Sequence, residues 1–207
     1  GGLKSYSNIF YWAHASSNTD STIGLHPHKG FEIMSYVIKG CIKHYDTLIK
    51  KWITLNKGDV QIIQSGSGIS HSEAINENAS IFQIWFDPNL AKSLQEKPQY
   101  KDYPSDIFKS NGTTKNIIGE NSPVKLISEK IKIFELNLSD DYIIEDILDN
   151  YLSIYVLSGV INFGKLQAIK NDFVKIHNEK SIKINIEAPC KLFCISSPLK
   201  VSYKTYI

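Results

Sequence analysis

Two short patterns in this chain carry residues that can do metal chemistry. His26-Pro27-His28 sets two imidazoles at i and i+2, and His71-Ser72-Glu73 repeats that spacing with an imidazole and a carboxylate. Side chains two apart on a β-strand leave from the same face. If the two segments are neighbours in a sheet, all four groups point into one cavity. Three neutral imidazoles and one carboxylate suit a divalent first-row ion, and the donors alone leave Fe, Mn, Co, Ni, Cu and Zn open. Four protein ligands leave one or two positions free on an octahedral ion, as a catalytic metal needs for water, O2 or substrate. Pro27 cannot donate a ladder hydrogen bond, so its strand is expected at an edge or a cavity mouth.

The elements that must position these groups read as strands. Segments 31–39, 60–63, 81–86, 130–138, 151–157, 173–176, 182–186 and 192–195 are short and rich in Ile, Val, Phe and Tyr. Asn56-Lys57-Gly58-Asp59 and Gly66-Ser67-Gly68 read as turns. Gly66-Ser67-Gly68 lacks the Lys-Ser/Thr and helix of a phosphate loop, and is expected instead to bring His71 into place. Many short strands with regular turns indicate an all-β sandwich or barrel. Asp87-Pro88 ends the strand at Phe86, residues 89–96 (NLAKSLQE) read as a short helix, and an extended connector follows, so the best domain boundary lies within 87–122.

Internal similarity indicates a duplicated β domain. Residues 37–42 (VIKGCI) resemble 156–161 (VLSGVI), 57–62 resemble 171–176, and 80–85 resemble 191–196, in the same order in both halves. Two domains are expected, 1–104 with the connector from about 87, and 123–207. The second half has one His, His177, and no His-x-His, so it cannot repeat the metal site and is expected to pack and cover.

Composition narrows the function classes. The chain has 207 residues, 42 % apolar and 21 % charged, with a formal net charge of +2, as an ordinary globular protein has. Its 23 basic residues are all Lys. Without the Arg fork that grips guanine edges and phosphates, no direct nucleic-acid binding is expected. The apolar runs, such as 81–86, fall far below the roughly 18 residues of a membrane span, so no membrane partner is expected. Cys41, Cys190 and Cys194 are too few for a disulfide scaffold and suit a reducing cytoplasm, the last two as buried small hydrophobes. The chain opens with Gly-Gly and no Met, which reads as a tag scar or a truncated start.

HPHKGFEIMSYVIKG, GDVQIIQSGSGISHSE and FQIWFDP together resemble the pirin family of the cupin superfamily. The resemblance is close over about 26–104 and weaker over 124–207, where only the strand pattern and order match. It implies a bicupin, two cupin-type β-barrels joined by the short helix and extended connector, with one metal, usually iron, in the first barrel. The ligands it implies are His26, His28, His71 and Glu73. A general cupin takes its carboxylate from the first motif, where Glu32 is the candidate; the pirin pattern takes Glu73 instead. Fewer residues precede His26 than the family usually carries, so a strand closing one barrel edge is expected to be missing or rearranged.

The activity implied is that of a quercetin 2,3-dioxygenase: a small aromatic substrate, a flavonol or related enol, is opened by O2 with loss of carbon monoxide. Glu73, or a water it orients, would accept the substrate's hydroxyl proton. The alternative is a redox-sensing regulatory protein that acts through a protein partner without turnover. His14 is expected at the surface or pocket rim. His44, on the hairpin after Gly40, is set aside as a site residue, a pocket-lining role being the lesser reading. Gln83 and Trp85 alternate with Phe82 and Ile84, so one of these pairs faces inward. Met34 and Tyr36 share parity with His26 and His28 and are expected along the pocket wall.

Overall fold

Strands built on alternating apolar residues form four antiparallel sheets in a computed structural model that describes residues 4–206. Contacts divide the chain into two units, one holding residues up to Ile107 with Leu126–Ser128 and the residues from Ser202, the other holding Phe108–Lys125 and Glu129–Val201.

The first unit contains β1 (Ile9–Ser16), β2 (Ser21–His28), β3 (Glu32–Lys39), β4 (Cys41–Asp46), β5 (Ile53–Asn56), β6 (Val60–Gln64), β7 (Ile69–Ile75), β8 (Ser80–Phe86), the helical turn α1 (Leu90–Ser93) and β9 (Gln99–Tyr103). They form a sheet in the order β1-β8-β3-β6-β9 and a second in the order β2-β7-β4-β5. An N-terminal strand is therefore present, and β1 pairs with β8 along its length. α1 is shorter than residues 89–96 suggest. Gln95 N–H donates to Lys92 O and Glu96 N–H to Ser93 O, so the helix tightens into three-residue turns before Pro98.

The interior of this unit is layered. Val37, Ile42, Leu55, Ile75, Ala79 and Ile81 form one apolar cluster, and Ile33, Ile63 and Ile69 with Trp85 and Tyr100 form another. Between them on the same strand faces runs a polar belt: Ser35 on β3, His44 on β4, Gln61 on β6, His71 and Glu73 on β7, and Gln83 on β8. Register confirms the shared face, since Ser35 pairs with both Gln61 and Gln83, and His44 pairs with Glu73. Gln83 and Trp85 thus face inward and Phe82 and Ile84 outward. The outward face also takes Met34 and Tyr36, against the expectation from parity with His26 and His28. Gly30, at φ +83, lies between β2 and β3 and sends them into different sheets, so parity does not carry across. His14 pairs with outward Phe82 and is exposed.

Residues 203–206 also belong to this unit. Tyr203 Oη–H donates to Asp87 O at 2.8 Å, Tyr206 N–H donates to the Asp87 carboxylate, and the Tyr206 ring packs against Phe10 and Phe31.

The second unit contains β10 (Thr114–Ile118), β11 (Lys132–Leu138), β12 (Tyr142–Ile144), β13 (Asn150–Ser158), β14 (Val160–Phe163), β15 (Leu166–Ile169), β16 (Phe173–Ile176), β17 (Ile182–Ile186) and β18 (Cys190–Pro198). Its sheet β10-β11-β18-β13-β16 repeats the β8-β3-β6 arrangement as β18-β13-β16, and β12-β17-β14-β15 repeats β2-β7-β4-β5. Gly40 and Gly159, both at positive φ, make the same turn after β3 and β13. Counting from these glycines through the strand registers, Ser35, His44, Gln61, His71, Glu73 and Gln83 correspond to Ile154, Phe163, Val174, Ile182, Ile184 and Cys194. The polar belt of one unit is an apolar core in the other, where Ile154, Ile184 and Cys194 are fully buried.

Candidate metal centre

The β2–β7 register sets His26 opposite His71. A bulge between Ile23 and His26 lets β2 bring His26 and His28 to the same side as His71. One ring nitrogen from each of His26, His28 and His71 lies within 4.8 Å of the others. Ring centroids are 4.5 Å apart for His26–His71, 4.7 Å for His28–His71 and 4.8 Å for His26–His28.

The ring nitrogens are mostly unclaimed. Among the described residues, both nitrogens of fully buried His71 and Nε2 of His28 have no hydrogen-bond partner. His26 Nδ1 lies 2.8 Å from Gly24 O, so the tautomer with the proton on Nδ1 leaves Nε2 with its lone pair free. Burial, with neighbouring imidazoles adding to it, lowers the pKa of His71 to about 3 and that of His28 to about 4. Both rings are neutral at ordinary pH, the form that binds a metal. Buried imidazole nitrogens left without partners are costly, and a divalent transition metal fits this donor set.

Glu73 stands beside this trio. One of its oxygens groups within 4.8 Å with nitrogens of His71 and His44. Its carboxylate is completely buried, accepting from Ser35 Oγ–H at 3.0 Å and from Gln83 Nε2–H at 2.6 Å. Burial raises its pKa against those two hydrogen bonds. Trp85 Nε1–H donates to Gln83 Oε1 at 3.1 Å, so the indole fixes the amide that fixes the carboxylate.

His44 has no lone pair left for a metal. Its Nε2–H donates to Asp46 Oδ2 at 2.8 Å, and Gln61 Nε2–H donates to its Nδ1 at 3.0 Å. Asp46 Oδ1 in turn accepts from Leu48 N–H and Ile49 N–H, both at 2.7 Å. Tyr100 stacks on the ring at 4.7 Å. His44 therefore forms a rigid wall beside His71.

Glu32 is directed elsewhere. Its carboxylate accepts from Gln64 Nε2–H at 3.0 Å and from the backbone N–H groups of Ile127 and Ser128 at 2.7 Å each. The first-motif carboxylate pins a distant stretch of chain in the same unit.

Two sheet edges lie beside the centre. β1 and β2 are the outer strands of their sheets and do not pair with each other. Tyr11 is 45 % and Ile23 43 % exposed there, and their register partners are Trp85 and Glu73. Tyr11 and His28 both contact the Trp85 ring, at 5.3 and 4.7 Å, which gives the centre an aromatic flank.

Residues 5–86 match the family model of pirin. A quercetin 2,3-dioxygenase of Escherichia coli K12 is 25 % identical over 179 residues, covering 84 % of this chain and 76 % of that protein. The crystal structure of the bacterial pirin YhhW from Escherichia coli in complex with nickel(II) superposes with a TM-score of 0.78 at 21 % identity, over 93 % of this chain and 83 % of that one. Residues 5–86 are thus pirin-like, and the fold is that of the bacterial pirin structure. Within its pirin segment, a Zymomonas mobilis protein whose name proposes quercetin 2,3-dioxygenase activity is 45 % identical over 73 residues, 34 % of this chain and 30 % of that protein. The pirin fold and the donor set together support a divalent metal. Among the described residues no helix is long and apolar enough to cross a membrane.

The neutral imidazoles make a pH prediction for metal-free protein. A His whose pKa is depressed on folding gains no proton as pH falls below 6.5, while the unfolded chain does, so stability is present above pH 6.5 and lost below it. In chelator-treated protein at pH 4, wild type should lose about 3 kcal/mol relative to His71→Ala, the 2.5-unit interval at about 1.4 kcal/mol per unit. Thermal melts of both proteins at pH 7 and 4 check this. An unchanged difference between them would show that His71 is not held neutral by burial.

Proposed function

We propose that this chain is a metal-dependent dioxygenase that opens a flavonol such as quercetin, or a related aromatic enol, with O2. The observation that carries the reading is a trio of neutral imidazoles with unclaimed nitrogens, set beside a buried carboxylate and flanked by Tyr11 and Trp85 at the gap between β1 and β2. His26, His28, His71 and Glu73 would hold the metal, with iron the first candidate; when bound, it supplies a Lewis acid and an electron path between an enolate and O2. Tyr11 and Trp85 orient a planar substrate by stacking. The apolar layers above and below the polar belt exclude water. Glu73, or a water it orients, accepts the substrate's hydroxyl proton.

The test is quercetin loss with O2 uptake and carbon monoxide release by protein reconstituted separately with Fe, Mn, Co, Ni, Cu and Zn. Absence of turnover with all six ions would sink the reading. A second variant separates orientation from ligation. Gln83→Leu removes the donor to Glu73 Oε2, and kcat should fall about 10- to 100-fold with metal content near wild type. Loss of metal in step with activity would show instead that Gln83 serves metal retention.

A further inference from the structure

A second cavity of about 320 Å³ lies in the first unit between the β6–β7 turn and α1, and none of His26, His28, His71 or Glu73 lines it. Its walls are held by backbone hydrogen bonds. Gly30 N–H donates to Gly66 O at 2.9 Å, Ser65 N–H to Phe31 O at 2.9 Å, and Ser67 N–H to Glu96 O at 2.8 Å. Gly66, at φ +51, comes so close to the opposite wall that an added Cβ would meet Glu96 O at 2.5 Å. The cavity is formed before anything enters it.

Two serines on this lining carry hydroxyls without partners. Ser65 is fully buried and Ser93 is 2 % exposed, and among the described residues neither Oγ has a hydrogen-bond partner. A serine in a helix usually turns its hydroxyl back to the carbonyl four residues earlier; Ser93 does not. Buried unpaired hydroxyls are rare in folded proteins and call for a ligand or water to meet them. The charged side chains on the lining are Lys92, Lys97 and Glu96, two cations against one anion, and Ile127 gives an apolar surface.

We propose that this cavity is a second ligand site and that it takes a small organic carboxylate. The carboxylate oxygens accept from the Ser65 and Ser93 hydroxyls, Lys92 and Lys97 balance the charge, and Ile127 packs against the carbon skeleton. This inference does not depend on the oxygenase reading.

Calorimetric titration with succinate and with benzoate tests it, with glycerol as the neutral control. A carboxylate can also bind an exposed metal, so metal-loaded and chelator-treated protein are titrated side by side. At least one carboxylate should bind saturably in both forms. Ser93→Ala should weaken it about 10-fold or more with melting temperature unchanged or raised, since the hydroxyl it removes is unpaired in the free protein. Exposed Lys97→Glu, which leaves the fold untouched, should weaken it by a similar factor. The proposal is overturned if neither carboxylate binds, if glycerol binds as tightly, if binding disappears with the metal, or if both variants bind like wild type. Each of those outcomes would mean that this cavity is not a carboxylate site.

Discussion

His71→Ala is expected to take the metal from about one equivalent per chain to under about a tenth, and with it at least about 100-fold of any oxygenase turnover. His71 is the shared member of both ligand groupings, with His26 and His28 on one side and Glu73 on the other. His26 and His28 alone leave a two-nitrogen site at the edge of the gap, which holds first-row ions weakly. The fold should survive, because the imidazole removed makes no hydrogen bond that another group depends on. Metal content by mass spectrometry, with circular dichroism as the fold control, checks this. A variant that keeps its metal would remove His71 from the centre and the centre from the mechanism.

Glu32→Ala separates two cupin patterns by opposite outcomes. If this carboxylate only clamps residues 127 and 128, its loss strands two backbone N–H groups and the Gln64 amide. Such a loss costs about 3–5 kcal/mol and lowers the melting temperature of a chain this size by about 10 °C. Metal content should remain near wild type well below the melting point. Loss of metal with little change in stability would make Glu32 a ligand instead, as in the general cupin pattern.

Strand centres were the easiest features to read from residue types. β3, β8, β13 and β18 carry long runs of Ile, Val, Phe and Tyr because they are buried on both faces or nearly so. β5, β12, β14 and β15 have only three or four residues, and β9 (QYKDY) is a polar edge strand; their pairing comes from neighbours more than from their own composition. His26, His28, His71 and Glu73 stand out in the sequence by type and spacing, and the structure groups the first three with one another and Glu73 with His71. The residues that hold them do not stand out. Ser35, Gln61 and Gln83 are single polar residues in apolar strands, and the usable signal was their position, each interrupting an inward-facing row such as Ile33-Ser35-Val37 or Ile81-Gln83-Trp85. The Glu32 clamp was out of reach, since its partners are backbone N–H groups 95 and 96 positions away. Strand parity misled only where it was carried across the turn at Gly30.

The seating of Tyr203 and Tyr206 on Asp87 inverts the order in which the chain can finish folding. Asp87 leaves the ribosome more than a hundred residues before its tyrosine partners do. At about 5–20 residues per second, this is a wait of roughly 6–24 s. During it, β10 to β18 emerge and can close their own core, so the unit translated second is free to mature first. Phe10, Phe31 and the Asp87 carboxylate stay uncovered by Tyr206 until then. A nascent chain stalled before residue 203 should therefore expose the first unit, rather than the second, to proteases and chaperones.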